Sequence, residues 1–413
     1  MQEVNRGAAS VSRVVMFIVD GLGVSGKTKA LTDLACGLST DRYQSVVVTF
    51  SKEKRSLVDR LEQEHIPVYE VPIEEGLRFE NLWRLLRKMR EVRPDVVHCV
   101  NQRAMLYGGI AARLLGIRAT LGSLSAFASL VPDRTYEFLP QHLATQTRGD
   151  RFRNRLISRL MSRLTTVSAR LGQRFCEFNG IPDTRMSIVP YGVATAGDLR
   201  DDPAADGRSR LRQEMRAEEG DVLVGSVGRL VEQKDYGTQL RGFAAAAEKD
   251  PRLRMILVGD GPLRGHLEEE VEELGVADRV TFLGFRADVR QLLEAIDIFA
   301  LTSKFEPFGV AILEAKAAGL AIVATAVNQI PELLSYGKSG ILVSPGSPEE
   351  LADALIRLAR DRSLGEELGR RAAEEALERH SLCAMIQAFE DLYDEVLGLS
   401  RTKGGSLETG LGS

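Results

Sequence analysis

Short apolar runs alternate with helical stretches along almost all of this chain, and the alternation breaks once; no other feature restricts the fold as strongly. Strands read at Arg13–Asp20 (RVVMFIVD), Ser45–Phe50, Val68–Val71 and Asp95–Val100, with a basic helix at Asn81–Arg93 among the segments between them. Strands joined through helices run parallel, in a sheet covered on both faces. Arg118–Val131 reads as loop. A helix over Arg151–Leu164, a short strand Thr165–Ser168, a helix Ala169–Asn179 and a short strand Ser187–Pro190 then complete a first doubly wound domain, residues 1–193. Residues 194–221 are rich in Ala, Gly, Asp and Arg and lose the periodicity, which predicts an interdomain connection with one short polar helix.

A second series follows in residues 222–380: strands Val222–Val227, Arg254–Val258, Arg279–Leu283, Ile298–Leu301, Leu320–Ala324 and Ile341–Val343, then helices Pro348–Ala359 and Leu364–Arg379. Residues 381–399 carry one more amphipathic helix, Leu382–Leu397, expected to pack back on the first domain, and the Gly/Ser-rich 400–413 reads as a disordered tail. The expected fold is α/β, two Rossmann-like parallel-sheet domains facing across a cleft, with ligands at the carboxyl ends of the strands.

Composition narrows the function. A hydrophobic share of 44% suffices for two packed cores, and a formal charge of -4 argues against a nucleic-acid binder, which needs a net basic face. Cys36, Cys99, Cys176 and Cys383 are scattered, as expected of reduced cytosolic thiols and not of a disulfide framework or zinc site. With no apolar run long enough to span a bilayer, a cytoplasmic protein is expected. Contact with the inner face of a membrane stays open through Arg151–Leu164, where Arg151, Arg155, Arg159 and Arg163 recur every fourth residue beside Leu156, Ile157, Leu160 and Leu164.

The stretch with most chemistry is Leu301–Thr325, LTSKFEPFGVAILEAKAAGLAIVAT: a strand end, a loop, a helix from about Gly309 to Ala318, a Gly319 stop and a second strand. Glu306 falls in the loop before the helix, and Glu314 in its second turn leans back toward the N-terminus. A helix mouth with open N–H groups suits a phosphate, and carboxylates beside it accept hydrogen bonds from sugar hydroxyls. A nucleotide sugar carries both groups.

Glu306-Pro307-Phe308-Gly309-Val310 followed by Glu314-Ala315 resembles the Glu-x7-Glu motif of retaining glycosyltransferases of the GT-B fold, especially family four (group 1). Further matches in family order are Gly228-Arg229-Leu230 leading to Lys234, the turn Gly259-Asp260-Gly261-Pro262, the turn Gly284–Asp288, and Ile330-Pro331-Glu332. The resemblance runs from about Val15 to Leu397. It implies that Arg229 and Lys234 hold the diphosphate and stabilise it as it leaves, catalytically together with Glu306, which contacts the donor sugar. It implies donor contacts from Gly259, Gly261, Phe285, Phe308, Gly309 and Val310, with Glu314 on the ribose. The donor is expected to be a nucleotide-diphosphate-sugar, a UDP-sugar before a GDP-sugar, with no cofactor; the acceptor, a glycan or a lipid-linked glycan, belongs to the first domain. No metal is expected: there is no Asp-x-Asp, and His65, His98, His142, His266 and His380 have no ligand spacing.

Three positions depart from the family pattern. Tyr191 stands where many relatives have Asn, and Asn328-Gln329 replaces a usual Gly-Gly. Leu121-Gly122-Ser123 lacks the His-Gly or His-Asp pair of many relatives, so no catalytic histidine is assigned. The rival signal is Gly21–Thr28 (GLGVSGKT), a loop with Gly23, Gly26 and Lys27 that also satisfies the phosphate-loop string of nucleoside triphosphatases. The leading reading is a retaining, metal-independent glycosyltransferase of glycan, glycolipid or polysaccharide biosynthesis. The alternatives are a nucleotide-sugar epimerase on the same fold and, behind it, a triphosphatase using Gly21–Thr28.

Overall fold

The computed structural model describes residues 12–23, 25–51, 57–73, 78–124, 148–195, 204–215, 217–306 and 308–399, so the tail 400–413 and Pro307 lie outside the described residues. The chain divides into two compact units, one of residues up to 124, 148–189 and 385–399, the other of residues 190–384.

Unit 1 is built on seven strands: β1 (Arg13–Val19), β2 (Tyr43–Thr49), β3 (Val68–Glu70), β4 (Val96–Val100), β5 (Thr120–Ser123), β6 (Arg163–Thr166) and β7 (Met186–Ile188). All pair in parallel, in the order β3-β2-β1-β4-β5-β6-β7. β1 to β3 grow outward one way, and the chain then returns to lay β4 on the other side of β1. Strand order therefore reverses between β1 and β4, and the loops after these two strands are neighbours. That is where an open α/β sheet has room for a ligand.

Two expectations for this unit need correction. The stretch read as loop at Arg118–Val131 contains β5, an inner strand between β4 and β6. Its Gly122 misleads the reading, since glycine usually interrupts strands; here a Cβ would stand 2.8 Å from Met105 Sδ and 3.0 Å from Met161 Cγ, so glycine lets the covering helices approach the sheet. The helix expected at Arg151–Leu164 spans Arg148–Leu160, and Arg163 and Leu164 begin β6. The helix Leu382–Leu397 completes this unit from Met385 onward, with Tyr393 fully buried and the Glu390 carboxylate accepting from Ser39 N–H at 2.8 Å and from Arg42 at 2.7 Å.

Unit 2 repeats the plan with β8 (Val222–Val227), β9 (Leu253–Val258), β10 (Val280–Gly284), β11 (Ile298–Leu301), β12 (Ala321–Thr325) and β13 (Ile341–Val343), all parallel, in the order β10-β9-β8-β11-β12-β13. Helices Tyr236–Lys249 and Pro348–Arg360 pack together over one face, where Val224, Leu240, Phe243, Met255, Val323 and Leu355 form the core. On the other face Leu223, Ile256, Phe299, Ile312 and Ile322 do the same. The reversal of order falls between β8 and β11, so the loops leaving these strands are adjacent, although some 70 residues separate them in sequence.

Candidate functional site

Two loops meet at that reversal. β8 runs into Gly228–Leu230, a turn at Glu232–Lys234 and the helix Tyr236–Lys249; β11 runs into Thr302–Phe308 and the helix Val310–Ala317. They are laced together. Lys304 N–H donates to the Gln233 carbonyl at 2.9 Å, Gln233 Nε2 to the Phe305 carbonyl at 2.8 Å, and the Thr302 hydroxyl to the Asp235 carbonyl at 3.0 Å. The lacing sets the Lys234 ammonium against the Glu306 carboxylate in an ion pair, with Glu306 only 8% exposed. The other carboxylate oxygen of Glu306 accepts from Gly309 N–H at 3.3 Å, which lays the acid across the mouth of the Val310–Ala317 helix. Its own N–H donates to Asn328 Oδ1 at 2.9 Å.

Arg229 stands exposed on the same edge and pairs with no carboxylate among the described residues. Gly228–Leu230 is packed by main chain against Gly259–Gly261: Gly228 N–H donates to the Val258 carbonyl at 2.9 Å and Leu230 N–H to the Asp260 carbonyl at 3.1 Å. A Cβ on Gly259, which has φ +139°, would meet the Gly228 carbonyl at 1.9 Å, so this close approach requires glycine. Phe285, which follows β10, is 43% exposed. Phe308 stacks edge-on against Tyr191 at 5.2 Å between centroids. The sheet thus gathers Arg229, Lys234, Gly259, Gly261, Phe285, Glu306, Phe308, Gly309 and Val310 at the carboxyl ends of β8 to β11. Glu314 lies half-buried in the second turn of the Val310–Ala317 helix. A free guanidinium, a shielded ammonium–carboxylate pair and two glycine turns can grip a polyanion and accept hydroxyl hydrogen bonds beside it.

In unit 1, Gly23, Gly26 and Lys27 follow β1 at the other reversal of strand order. Here Ser25 caps the helix Gly26–Gly37 with its own hydroxyl. Thr28, 1% exposed, turns its hydroxyl inward, donating to the Gly23 carbonyl and accepting from Ser25 N–H at 3.1 Å. The hydroxyl that would hold magnesium in a phosphate loop is already engaged, and part of the N–H cradle with it.

His98, on β4, reaches the end of β5: Nε2 lies 2.7 Å from the Ser123 hydroxyl, which lies 2.7 Å from that of Thr165, while Nδ1 lies 2.7 Å from the Tyr393 hydroxyl. Burial pulls its pKa down from 6.5 to about 3, so the ring is neutral. Of the arginine stripe, Arg151, Arg155 and Arg159 lie exposed on the helix Arg148–Leu160, and only Arg163 leaves it for β6. Arg151 and Arg155 donate to the carbonyls of Phe178 and Asn179 at the end of the helix Ala169–Asn179, and Arg163 reaches Glu395 from β6. Among the described residues no helix is long and apolar enough to cross a membrane.

Sequence reasoning missed the residues that frame the ion pair: Gln233, Thr302, Ser303 and Asn328. Only Asn328 carried a signal, as a departure from Gly-Gly.

Two family models match, Glycosyl transferases group 1 over residues 207–375 and Glycosyltransferase Family 4 over residues 24–196. The N-acetyl-alpha-D-glucosaminyl L-malate synthase of Bacillus anthracis is 32% identical over 190 residues, covering 46% of this chain and 49% of that protein. The alpha-D-kanosaminyltransferase of Streptomyces kanamyceticus is 24% identical over 76% of this chain and 81% of its own. The chain spans about half the length of the B. anthracis protein and of an uncharacterized glycosyltransferase of Methanocaldococcus jannaschii. Among solved structures, Anabaena HepE in complex with UDP and glucose superposes with a TM-score of 0.76 at 24% identity, over 93% of this chain and all of that one. A glycosyltransferase of Rickettsia africae gives 0.77 at 16% identity, over 94% and 100%. At these identities the likeness shows the fold, which is GT-B.

Proposed function

Since the chain is a group 1 glycosyltransferase of the GT-B fold that resembles family four, we propose that it moves a sugar from a nucleoside-diphosphate donor onto a glycan or lipid-linked acceptor. The observation that carries this reading is the Lys234–Glu306 pair at the mouth of the Val310–Ala317 helix, with the exposed Arg229, which pairs with no carboxylate among the described residues, on the same edge. Breaking the bond between sugar and phosphate loads negative charge onto the leaving diphosphate. Arg229 and Lys234 stabilise that charge most where it is greatest, in the transition state. Glu306 takes a sugar hydroxyl, the Gly309 main chain faces the phosphate, and Glu314 holds the ribose. Transfer keeps the anomeric configuration and needs no metal, the two cations doing a metal's work.

A UDP-sugar is the favoured donor: HepE has been solved with UDP and with UDP-glucose, and S. aureus TarM with UDP. The triphosphatase alternative has the inward Thr28 hydroxyl against it, and no observation favours the epimerase.

Incubation with a panel of nucleotide sugars, following release of nucleoside diphosphate, tests the reading. UDP-sugars should turn over, with the configuration of the product kept by NMR and activity unchanged in EDTA. Glu314→Ala should weaken diphosphate binding by about 1.5–3 kcal/mol, the worth of a charged hydrogen bond, whereas Glu306→Ala should spare binding and lower kcat. No release from any donor, or equal diphosphate affinity in Glu314→Ala and wild type, would overturn it.

A further inference from the structure

Glu306 is held from two sides. Its carboxylate partners are Lys234, the Ser303 hydroxyl at 3.4 Å and Gly309 N–H, the last two from its own loop. Its main chain is held by a side chain from another loop, Asn328, which follows β12. The Asn328 backbone is left-handed, with φ +49°, in a tight bend where Val327 N–H donates to the Thr325 carbonyl at 2.8 Å and Ile330 N–H to the Val327 carbonyl at 3.0 Å. Asparagine tolerates that region better than most residues, because its short amide can bond locally.

A glycine there, as in the family pattern, would keep the bend and leave Glu306 N–H unmet at a site that is 8% exposed. An unmet buried N–H is costly, so the loop would shift to find another partner. The Asn328 Nδ2 is itself buried and has no hydrogen-bond partner among the described residues. The side chain is thus kept for its oxygen despite an unmet donor.

We propose that Asn328 is a positioning residue that fixes the height of Glu306 over the helix mouth and so sets the geometry of sugar transfer. This rests on the glycosyltransferase reading above. Asn328 acts on Glu306 and not on the grip of the nucleotide, which separates it from a residue that merely stabilises unit 2.

The test is Asn328→Gly, a variant whose backbone suits the bend. Its kcat should fall about ten-fold or more while diphosphate affinity stays within about two-fold. In a Glu306→Ala background the same change should cost nothing further, because its only route to the reaction is gone. Wild-type kcat in Asn328→Gly, or equal losses in kcat and diphosphate affinity, would overturn the proposal. Hydrogen exchange gives a readout independent of activity. The Glu306 amide should exchange faster in Asn328→Gly, and an unchanged rate would sink the inference. If wild type transfers no sugar, the glycosyltransferase reading fails by itself, and the exchange at Glu306 still decides whether Asn328 holds that loop.

Discussion

His98 shows how one side chain escapes a linear reading. In sequence it is the polar end of an apolar strand, and the His-Gly or His-Asp pair of relatives is absent at Leu121-Gly122-Ser123. The parallel register puts His98 opposite Leu121, and the ring meets the Ser123 hydroxyl across the ladder. The places of Glu306, Lys234 and Arg229 at strand ends were legible because each follows a strand that motif spacing could place. The His98–Ser123–Thr165 chain was not, because strand order had to be known first. Its neutrality has a measurable consequence. The unfolded chain takes up a proton at His98 near pH 6.5 and the folded one only near pH 3. Protonation therefore favours unfolding throughout that window. The stability this residue contributes is full above about pH 6.5 and drains away as pH falls, by roughly 1.4 kcal/mol per unit. His380, drawn down to about 4 chiefly by burial, adds a slope of the same sign in unit 2. In His98→Gln, whose amide can still bridge Tyr393 and Ser123, stability of unit 1 should fall less steeply between pH 6.5 and 4.5, read by hydrogen exchange in β1 and β4. An unchanged slope would mean that the ring is charged in the folded protein.

Among the elements, the helix Val310–Ala317 was the easiest to place and the hardest to explain. Its apolar face and the Gly319 stop gave its limits to within a residue, but nothing in the sequence marked Lys316. In fact Lys316 is 1% exposed, and its ammonium donates to the Leu333 carbonyl at 2.5 Å and to Glu375 at 2.7 Å, with the Ser339 hydroxyl on the same carboxylate at 2.8 Å. This knot ties the helix that carries Glu314 to the helix Arg362–Arg379. Burial lowers the Lys316 pKa against the pull of Glu375. Removing either partner should therefore have unequal effects. Glu375→Ala leaves a buried ammonium without its counter-ion and should destabilise unit 2 by about 3 kcal/mol, whereas Lys316→Met keeps the stem, removes the buried charge and should cost about 1 kcal/mol or less. Denaturant midpoints read on unit 2 decide; equal losses would show that the contribution lies in the stem's packing and not in its charge. By contrast, the boundary at Leu160 was illegible because Arg163 and Leu164 continue the helical spacing of the preceding residues. Only pairing of Leu164 with Gly122 and Met186 reveals a strand there.

For the whole molecule, the single break in strand–helix alternation announced two sheets, each with its own core. It could not say how the last helix is fastened, because the fastening couples residues near 40 with residues near 390. Glu390 is 2% exposed; it accepts from Ser39 N–H and pairs with Arg42, which also reaches Asp394, while the Tyr43 hydroxyl donates to Asp394 at 2.6 Å. All of these groups belong to unit 1, so the fastening closes one core and leaves the other alone. Arg42→Ala would strand the Glu390 carboxylate, with Ser39 N–H as its one remaining partner among the described residues to offset its lost hydration. The expected loss is about 3 kcal/mol, as for breaking a buried pair from one side. Glu390→Gln keeps an acceptor for Ser39 N–H and removes the buried charge, so it should cost about 1 kcal/mol. The loss should be confined to unit 1. Hydrogen exchange in Arg42→Ala should speed up in β1, β2 and the helix Leu382–Leu397 while the amides of β8, β9 and β11 keep their wild-type rates. Faster exchange spread equally over both units would show that this helix supports the whole chain and not unit 1. No change anywhere would show that the carboxylate finds other partners once Arg42 is gone.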